Sequence, residues 1–170
     1  MRTFVALLRG VNLGKRQLKM DDLRRIAIEL GLDSPETYIA SGNLIFRSDE
    51  SEATLKRMLE SAIADHMSAK VAVMIRDANE LARTVEDNPF AREPANRVVA
   101  IFLDSKAAND ALEDARNVGD ERMAVGSREV YVHYPSGQGR SKLKLRAAQE
   151  GTARNMNTIA KLAKLAREKA

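Results

Sequence analysis

The fold is decided by the stretch Glu36–Arg47, which reads ETYIASGNLIFR. In it, two short segments with apolar residues, Glu36–Ala40 and Leu44–Arg47, flank the polar triplet Ser41-Gly42-Asn43. Glycine and asparagine between two such segments are typical of a turn that joins antiparallel strands. The stretch therefore predicts a hairpin, and the segments on either side determine what packs against it.

Helix-spaced apolar residues lie on both sides of this hairpin. The segment from about Met20 to Gly31 carries one apolar stripe and ends at a glycine, and the segment from about Ser51 to Ser68 carries another. Apolar segments at Phe4–Arg9 and Val71–Arg76 lie outside the two helices and indicate strands. The order of elements is βαββαβ, which is that of the ferredoxin-like split unit.

The second half of the chain repeats much of this order. The predicted elements are a helix at 77–85, strands at Val98–Asp104, Met123–Val125 and Glu129–Tyr134, a helix at about Lys106–Asn117, and a helical remainder with a break near Gly151. We therefore predict an α+β protein of two ferredoxin-like halves packed as one compact unit. The halves span about residues 1–76 and 97–170, and a helix and a proline-containing linker at 77–96 join them.

The composition is that of a globular protein of 170 residues, with 44% hydrophobic and 31% charged residues. There is no cysteine, which excludes disulfides and cysteine-bound metal sites. The first apolar run is too short for a signal peptide, and no stretch is long enough to span a bilayer. We expect a soluble, cytoplasmic protein without a membrane partner.

The net charge of +4 is unevenly distributed. From Arg140 onward there are nine Lys or Arg residues and two acids, whereas the first twenty residues contain five basic residues and no acid. A basic face attracts phosphate-bearing ligands or nucleic acid. The alternative interpretation is a solvated helix surface.

Three polar clusters lie where a regular element should begin or end. They are Arg9–Gly14, Ser41–Asn43, and Arg154–Thr158 with Lys161. Free backbone N–H groups at such junctions bind anions, so we predict a shared site for an anionic or phosphorylated small ligand. The candidate ligand-binding residues are Arg9, Asn12, Gly14, Ser41, Gly42, Asn43, Arg154, Asn155, Asn157 and Lys161. The alternatives are plain turns and a helix with a solvated basic side.

The third cluster is predicted to open the last helix. Thr152 is a suitable N-cap for it. Arg154, Asn157, Thr158 and Lys161 then follow at spacings of three and four, so their side chains are expected to converge on one anion near the positive helix N-terminus.

No residue pattern identifies a catalytic group, a metal site or a cofactor. His66 and His133 have no evident carboxylate partner in the sequence, and we interpret both as structural. The glycine loop Pro135–Lys142 lacks the Walker spacing, although it brings Arg140 and Lys142 near a flexible turn. Whether the protein is an enzyme stays open at this point.

Taken together, these motifs resemble the bacterial domain of unknown function 1697 family over nearly the whole chain. The segments that match the family's motifs are Arg9–Gly14, Met20–Leu23, Tyr38–Asn43, Asn88–Phe90, Ser141–Leu143 and Thr152–Thr158. Lys15 and Met156 depart from the family's pattern, which has glycine and tryptophan there. The resemblance implies two ferredoxin-like halves and no established activity.

Three functional hypotheses follow from the sequence. The first is the anion or phosphorylated-ligand site. The second is nucleic-acid binding, which the βαββαβ order and the basic C-terminal segment favour but the small number of aromatic residues does not. The third is a structural or interaction protein in which the polar clusters form internal hydrogen bonds and no ligand site exists.

Overall fold

The structure is a computed structural model that describes all residues from 1 to 170. Two units are distinct in it. Unit 1 comprises residues 1–81 and 162–170, and unit 2 comprises residues 82–161. Two helices cross the boundary along the chain, α3 (Ala78–Glu86) and α5 (Met156–Lys169).

Unit 1 contains a four-stranded antiparallel sheet and two helices. In chain order its elements are β1 (Arg2–Leu8), α1 (Met20–Glu29), β2 (Asp33–Thr37), β3 (Asn43–Ser48), α2 (Glu52–Met67) and β4 (Val73–Asp77). The strand order in the sheet is β2-β3-β1-β4. This order, with β1 between β3 and β4, is the one expected of a ferredoxin-like unit.

Apolar residues at helical and strand spacing build the core of unit 1. Phe4 and Ala6 of β1 lie opposite Phe46 and Leu44 of β3, so their side chains share one face of the sheet. That face is covered by the buried residues of α1 and α2, which are Leu23, Ile26, Ala27, Leu55, Leu59 and Ile63. The sequence predicted these two stripes correctly.

The end of α5 also belongs to unit 1. Lys169 Nζ donates a hydrogen bond to the carbonyl oxygen of Ser34 at 2.8 Å and lies 3.7 Å from Glu36 Oε2. Leu162 and Ala166 of the same helix are fully buried. The last residues of the chain therefore complete a unit that begins with the first ones.

Unit 2 has the same strand order as unit 1. Its elements are β5 (Val98–Phe102), β6 (Arg122–Val125), β7 (Glu129–His133), α4 (Arg146–Glu150) and β8 (Thr152–Asn155), with two short 3-10 turns at Ala95–Arg97 and Gln138–Arg140. All neighbouring strands are antiparallel in the order β6-β7-β5-β8. The predicted α+β class is thus confirmed, and unit 2 has the strand order of a ferredoxin-like unit through a fourth strand, β8, that was not predicted.

Two predictions for the second half were wrong. Lys106–Asn117 forms turns, in which Ala111 and Glu113 donate from their N–H groups to carbonyls three residues earlier, and no α-helix forms there. The C-terminal remainder is not all helical, because Thr152–Asn155 forms β8 along β5. Gly151 permits this pairing: a Cβ at this position would lie 2.3 Å from the carbonyl oxygen of Phe102.

Candidate functional site

The loop between β1 and α1 is held in shape by the side chain of Asn12. Its Nδ2 donates to the carbonyl oxygens of Leu18 at 2.9 Å and Ala40 at 2.6 Å. Its Oδ1 accepts a hydrogen bond from the N–H of Leu18 at 2.7 Å. All polar atoms of this amide are therefore used inside unit 1, and Asn12 acts as a scaffold for the loop.

Every second residue in the middle of this loop has a left-handed backbone conformation, that is, a positive φ. The φ angles of Gly10, Asn12 and Gly14 are +70°, +57° and +68°. Glycine and asparagine are the residues that adopt this conformation with little strain, which explains their places in the motif. Consecutive residues of opposite handedness turn their N–H groups toward one side and form a concavity that suits an anion.

The same loop presents positive charge. Lys15, Arg16 and Lys19 are exposed, and none of them forms an ion pair. The nearest acids along the chain, Asp21 and Asp22, are paired with arginines of α1 itself. The N–H groups of Gly10, Gly14 and Lys15 donate to no protein atom.

The second predicted cluster lies beside the first. Asn43 Nδ2 donates to the carbonyl oxygen of Tyr38 and to Ser41 Oγ, both at 2.9 Å. Gly42 accepts a hydrogen bond from the N–H of Leu8 through its carbonyl oxygen. The turn is wider than predicted, because β2 ends at Thr37 and residues 38–42 connect it to β3.

Gly42 is required at its position for two reasons. Its φ is +89°, and a Cβ there would lie 2.7 Å from Val11 Cγ2 and 2.9 Å from Leu8 Cβ. Together with the bond from Asn12 to Ala40, this close approach brings the two loops into contact within unit 1. The structure thus joins the candidate residues Arg9, Asn12, Gly14, Ser41, Gly42 and Asn43 in one region.

The third cluster lies in unit 2 and differs from the prediction. Arg154 is on β8 and not in a helix, and only 8% of it is exposed. Its Nη1 donates to Thr152 Oγ1 at 2.8 Å and to the carbonyl oxygen of Ala153 at 2.9 Å. Burial lowers the pKa of Arg154 to about 10, so the guanidinium is still protonated at neutral pH.

The helix after β8 begins three residues later than the predicted N-cap implied. Asn155 caps it, because its Oδ1 accepts a hydrogen bond from the N–H of Thr158 at 3.0 Å. Thr158 is buried, whereas Asn157 and Lys161 are exposed. The predicted convergence of four side chains on one anion is therefore wrong, and two of them, Asn157 and Lys161, stay available at the surface.

Both histidines have carboxylate neighbours that the sequence did not indicate. His66 Nε2 lies 3.6 Å from Asp22 Oδ2, and His133 Nε2 lies 3.5 Å from Glu93 Oε2. The ring of His133 also packs against Phe90 of the Asn-Pro-Phe segment, with ring centroids 5.8 Å apart. These partners lie more than thirty residues away along the chain, so no spacing rule could have found them.

Unit 2 contains a cavity of about 280 Å³ that none of the predicted clusters includes. It lies between the loop at 117–121 and the glycine loop at 134–142, and both contribute charged side chains. The glycine loop beside Arg140 and Lys142 was the only indication of this cavity in the sequence. It did not indicate that acidic residues lie on the facing loop. No three His, Asp or Glu side chains lie close enough to hold a metal ion.

The fold and these loops define an α+β protein with two ferredoxin-like units and preformed polar loops at the ends of strands. Residues 1–131 match the model of the family described as "Protein of unknown function (DUF1697)", and the chain belongs to that family. The segments Ser141–Leu143 and Thr152–Thr158, which also resemble the family's motifs, lie beyond the matched residues.

A solved structure is also similar to this chain. It is the conserved bacterial protein SP0830 from Streptococcus pneumoniae, with 25% sequence identity and a TM-score of 0.82. The match covers 98% of this chain and 99% of the other. No curated protein matched this chain. None of the helices has the length and apolar character needed to cross a bilayer.

Proposed function

We propose that this protein binds a small anionic ligand that carries a phosphate group, and that the loop Arg9–Lys19 of unit 1 is the binding site. The observation that carries the proposal is the left-handed conformation of every second residue, Gly10, Asn12 and Gly14, beside three cations without ion pairs. Backbone N–H groups in such a loop bind anions, and neighbouring cations add long-range attraction.

The roles of the candidate residues differ in this proposal. The N–H groups of Gly10 and Gly14 and the side chains of Lys15 and Arg16 contact the ligand. Asn12 and the residues Ser41, Gly42 and Asn43 support the loop from behind, because their hydrogen bonds and close packing fix its path. A loop held in its binding conformation loses little entropy when the ligand binds.

Asn157 and Lys161 form a second, weaker candidate in unit 2. They lie in the first turns of α5, which contain no acidic residue. Free N–H groups at a helix N-terminus favour anions. Arg154 and Asn155 have structural roles there, in β8 and in the helix cap.

The test is a titration of the ¹⁵N-labelled protein with inorganic pyrophosphate, followed by ¹H–¹⁵N correlation spectra. We expect shifts of the Gly10, Gly14 and Lys15 amides that weaken with added salt, because screening reduces the attraction between exposed charges. The double variant Lys15→Ala/Arg16→Ala should lose most of the binding. Lys70→Ala is the matched control, since Lys70 is also an exposed lysine of unit 1 without an ion pair.

Two other results would redirect the proposal. Pyrophosphate shifts confined to the amides of Asn157 and Lys161 would move the site to α5, and no shift anywhere would favour a structural role for all three clusters. A salt-sensitive gel shift with RNA would favour the nucleic-acid alternative. That alternative lacks an aromatic platform, because Phe4, Phe46, Phe102 and Tyr131 on the strands are buried. A cytoplasmic location stays a prediction.

A further inference from the structure

A candidate site separate from the anion loop lies in the cavity between two facing loops of unit 2, residues 117–121 and 134–142. The loops are joined at one end by paired hydrogen bonds between the backbones of Arg116 and Lys144, at 3.0 Å in both directions. Two serine–carboxylate bonds join them further along. The space between them is about 280 Å³, slightly below the roughly 300–1,000 Å³ of typical ligand pockets. Such a volume suits a metabolite smaller than a drug molecule.

One wall of this cavity carries two carboxylates in fixed positions. Ser136 Oγ donates to Asp120 Oδ2, and Ser141 Oγ donates to Glu121 Oε1, both at 2.6 Å. The N–H of Gly119 donates to Glu121 Oε2, also at 2.6 Å. The hydrogen bond from Ser141 lowers the pKa of Glu121, so this carboxylate is ionised at neutral pH. All of its hydrogen-bond partners are neutral, and neither acid has a cationic partner.

The facing loop carries two cations. Arg140 and Lys142 line the cavity, and neither forms an ion pair with Asp120, Glu121 or any other carboxylate. The cavity is thus lined by two positive and two negative side chains that form no ion pairs with one another. A ligand with both signs of charge satisfies all four, whereas a simple anion or a simple cation satisfies only half of them.

Tyr134 adds an independent observation. It lines the cavity, only 7% of it is exposed, and its hydroxyl forms no hydrogen bond with the protein. The ring of Tyr134 is buried while its hydroxyl oxygen is not among the fully buried unpartnered atoms, so the hydroxyl is open to the cavity and available to a ligand. Burial raises the pKa of Tyr134, and the nearby charge of Glu121 adds to that effect, so the hydroxyl stays a donor at neutral pH.

From this arrangement we infer that the cavity between the loops at 117–121 and 134–142 binds a small zwitterion, one that carries an ammonium group and a carboxylate or phosphate. The ammonium group lies against Asp120 and Glu121, and the anionic group lies against Arg140 and Lys142. The hydroxyl of Tyr134 is a further hydrogen-bond partner for the ligand. This site is separate from the proposed anion loop of unit 1 and does not depend on it.

The experiment is a set of titrations of the full chain, read from ¹H–¹⁵N spectra. The probes are a mixture of the twenty free α-amino acids, then each active one alone, and phosphoethanolamine as the zwitterion that carries a phosphate. Acetate, inorganic phosphate and methylammonium are the single-charge controls. We expect a zwitterion to shift the amides at 117–121 and 134–142 while the single-charge compounds leave them unchanged. Comparison of the two zwitterion classes identifies the anionic group.

Two charge-removing variants make the result specific. Glu121→Gln keeps one acceptor oxygen for Ser141 Oγ, although it gives up the acceptor for the Gly119 N–H, and Lys142→Met keeps most of the length of the side chain. An unchanged ¹H–¹⁵N spectrum outside the cavity loops confirms that each variant is folded. Each should weaken zwitterion binding about tenfold or more, because each removes a charge-assisted contact. The matched controls are Glu113→Gln and Lys106→Met, exposed residues of unit 2 outside the cavity. They should leave the dissociation constant unchanged.

Three outcomes would overturn the inference. The first is that no zwitterion shifts the amides of either loop. The second is that acetate or phosphate alone shifts them as strongly as the zwitterions, which would make the cavity a simple anion site. The third is that the two cavity variants bind as tightly as their controls. The test of the anion loop, which reads pyrophosphate shifts at Gly10 and Gly14, is independent of these three outcomes. The two proposals therefore succeed or fail separately.

Discussion

Replacement of Asn12 by alanine should destabilise the protein strongly, although Asn12 lies in a loop and is only partly buried. Three hydrogen bonds are lost, two donated by Nδ2 and one accepted by Oδ1. At about 0.5–1.5 kcal/mol for each net hydrogen bond, the loss is roughly 1.5–4.5 kcal/mol. Alanine at a φ of +57° adds strain of about 1–2 kcal/mol. We therefore expect a loss of about 2.5–6.5 kcal/mol in the free energy of unfolding.

Asn12→Gly separates the hydrogen bonds from the strain. Glycine accepts the left-handed conformation without cost, although its unfolded state is more flexible by about 0.4–1 kcal/mol. This variant should therefore be more stable than Asn12→Ala while it still lacks all three hydrogen bonds. Urea unfolding monitored by circular dichroism measures the free energy of unfolding of both variants and of the unchanged protein. The slope of that free energy against urea concentration should be the same for all three.

Two results would refute the reasoning about Asn12. If Asn12→Gly unfolded within about 0.5 kcal/mol of the unchanged protein, below the loss expected for even three weak bonds, the hydrogen bonds would not hold the loop. If Asn12→Ala and Asn12→Gly were equally stable, the left-handed conformation would not constrain the choice of residue. In the first case the loop would not be preformed, and the anion proposal would lose its scaffold.

Three further predictions test other parts of the fold. Gly42→Ala should destabilise the protein by about 2–5 kcal/mol in urea unfolding, because it adds left-handed strain and a contact of 2.9 Å with Leu8 Cβ; an unchanged midpoint would show that the turn relaxes freely. The hydroxyl of Tyr131 donates a hydrogen bond to the carbonyl of Thr84 at 2.8 Å, and burial raises the pKa of this hydroxyl above its value in the unfolded chain. The protonated hydroxyl therefore stabilises the fold fully below about pH 10, and this stabilisation is lost as the pH rises further. The urea midpoint should therefore fall more between pH 9 and pH 11 for the unchanged protein than for Tyr131→Phe, and parallel pH profiles would contradict this. Ser51→Ala should cost about 1 kcal/mol of stability through loss of the α2 N-cap, whereas Ser51→Gly should cost only a few tenths.

Unit 1 could be predicted from the sequence because its apolar residues repeat at the spacing of the elements they form. The pattern was misleading at Lys106–Asn117, where Ala107 and Ala111 are buried at helical spacing although the backbone forms successive turns. Strand β8 was missed because it has only four residues and contains Arg154 and Asn155. A strand this short is defined by its pairing with β5, which no local pattern contains.

The residue types of the candidate site were informative, but their roles were not. Asn12 was predicted to bind a ligand, and its amide instead holds the loop, because the carbonyl of Ala40 comes within 2.6 Å. That carbonyl belongs to another loop, 28 residues away along the chain. The same limit applies to the cavity of unit 2, where the bond between Ser141 and Glu121 joins residues 20 positions apart.

The bond from Lys169 to Ser34 joins residues separated by 135 positions, and it has a consequence for folding during translation. The ribosome synthesises the chain from its N-terminus. Every residue of unit 2 is therefore made before the segment 162–170 that completes unit 1. All four strands of unit 1 are therefore synthesised long before Leu162 and Ala166, the buried residues of the segment that completes it. The unit whose synthesis begins first is therefore completed last, and its final segment can join it only after every residue of unit 2 has been made.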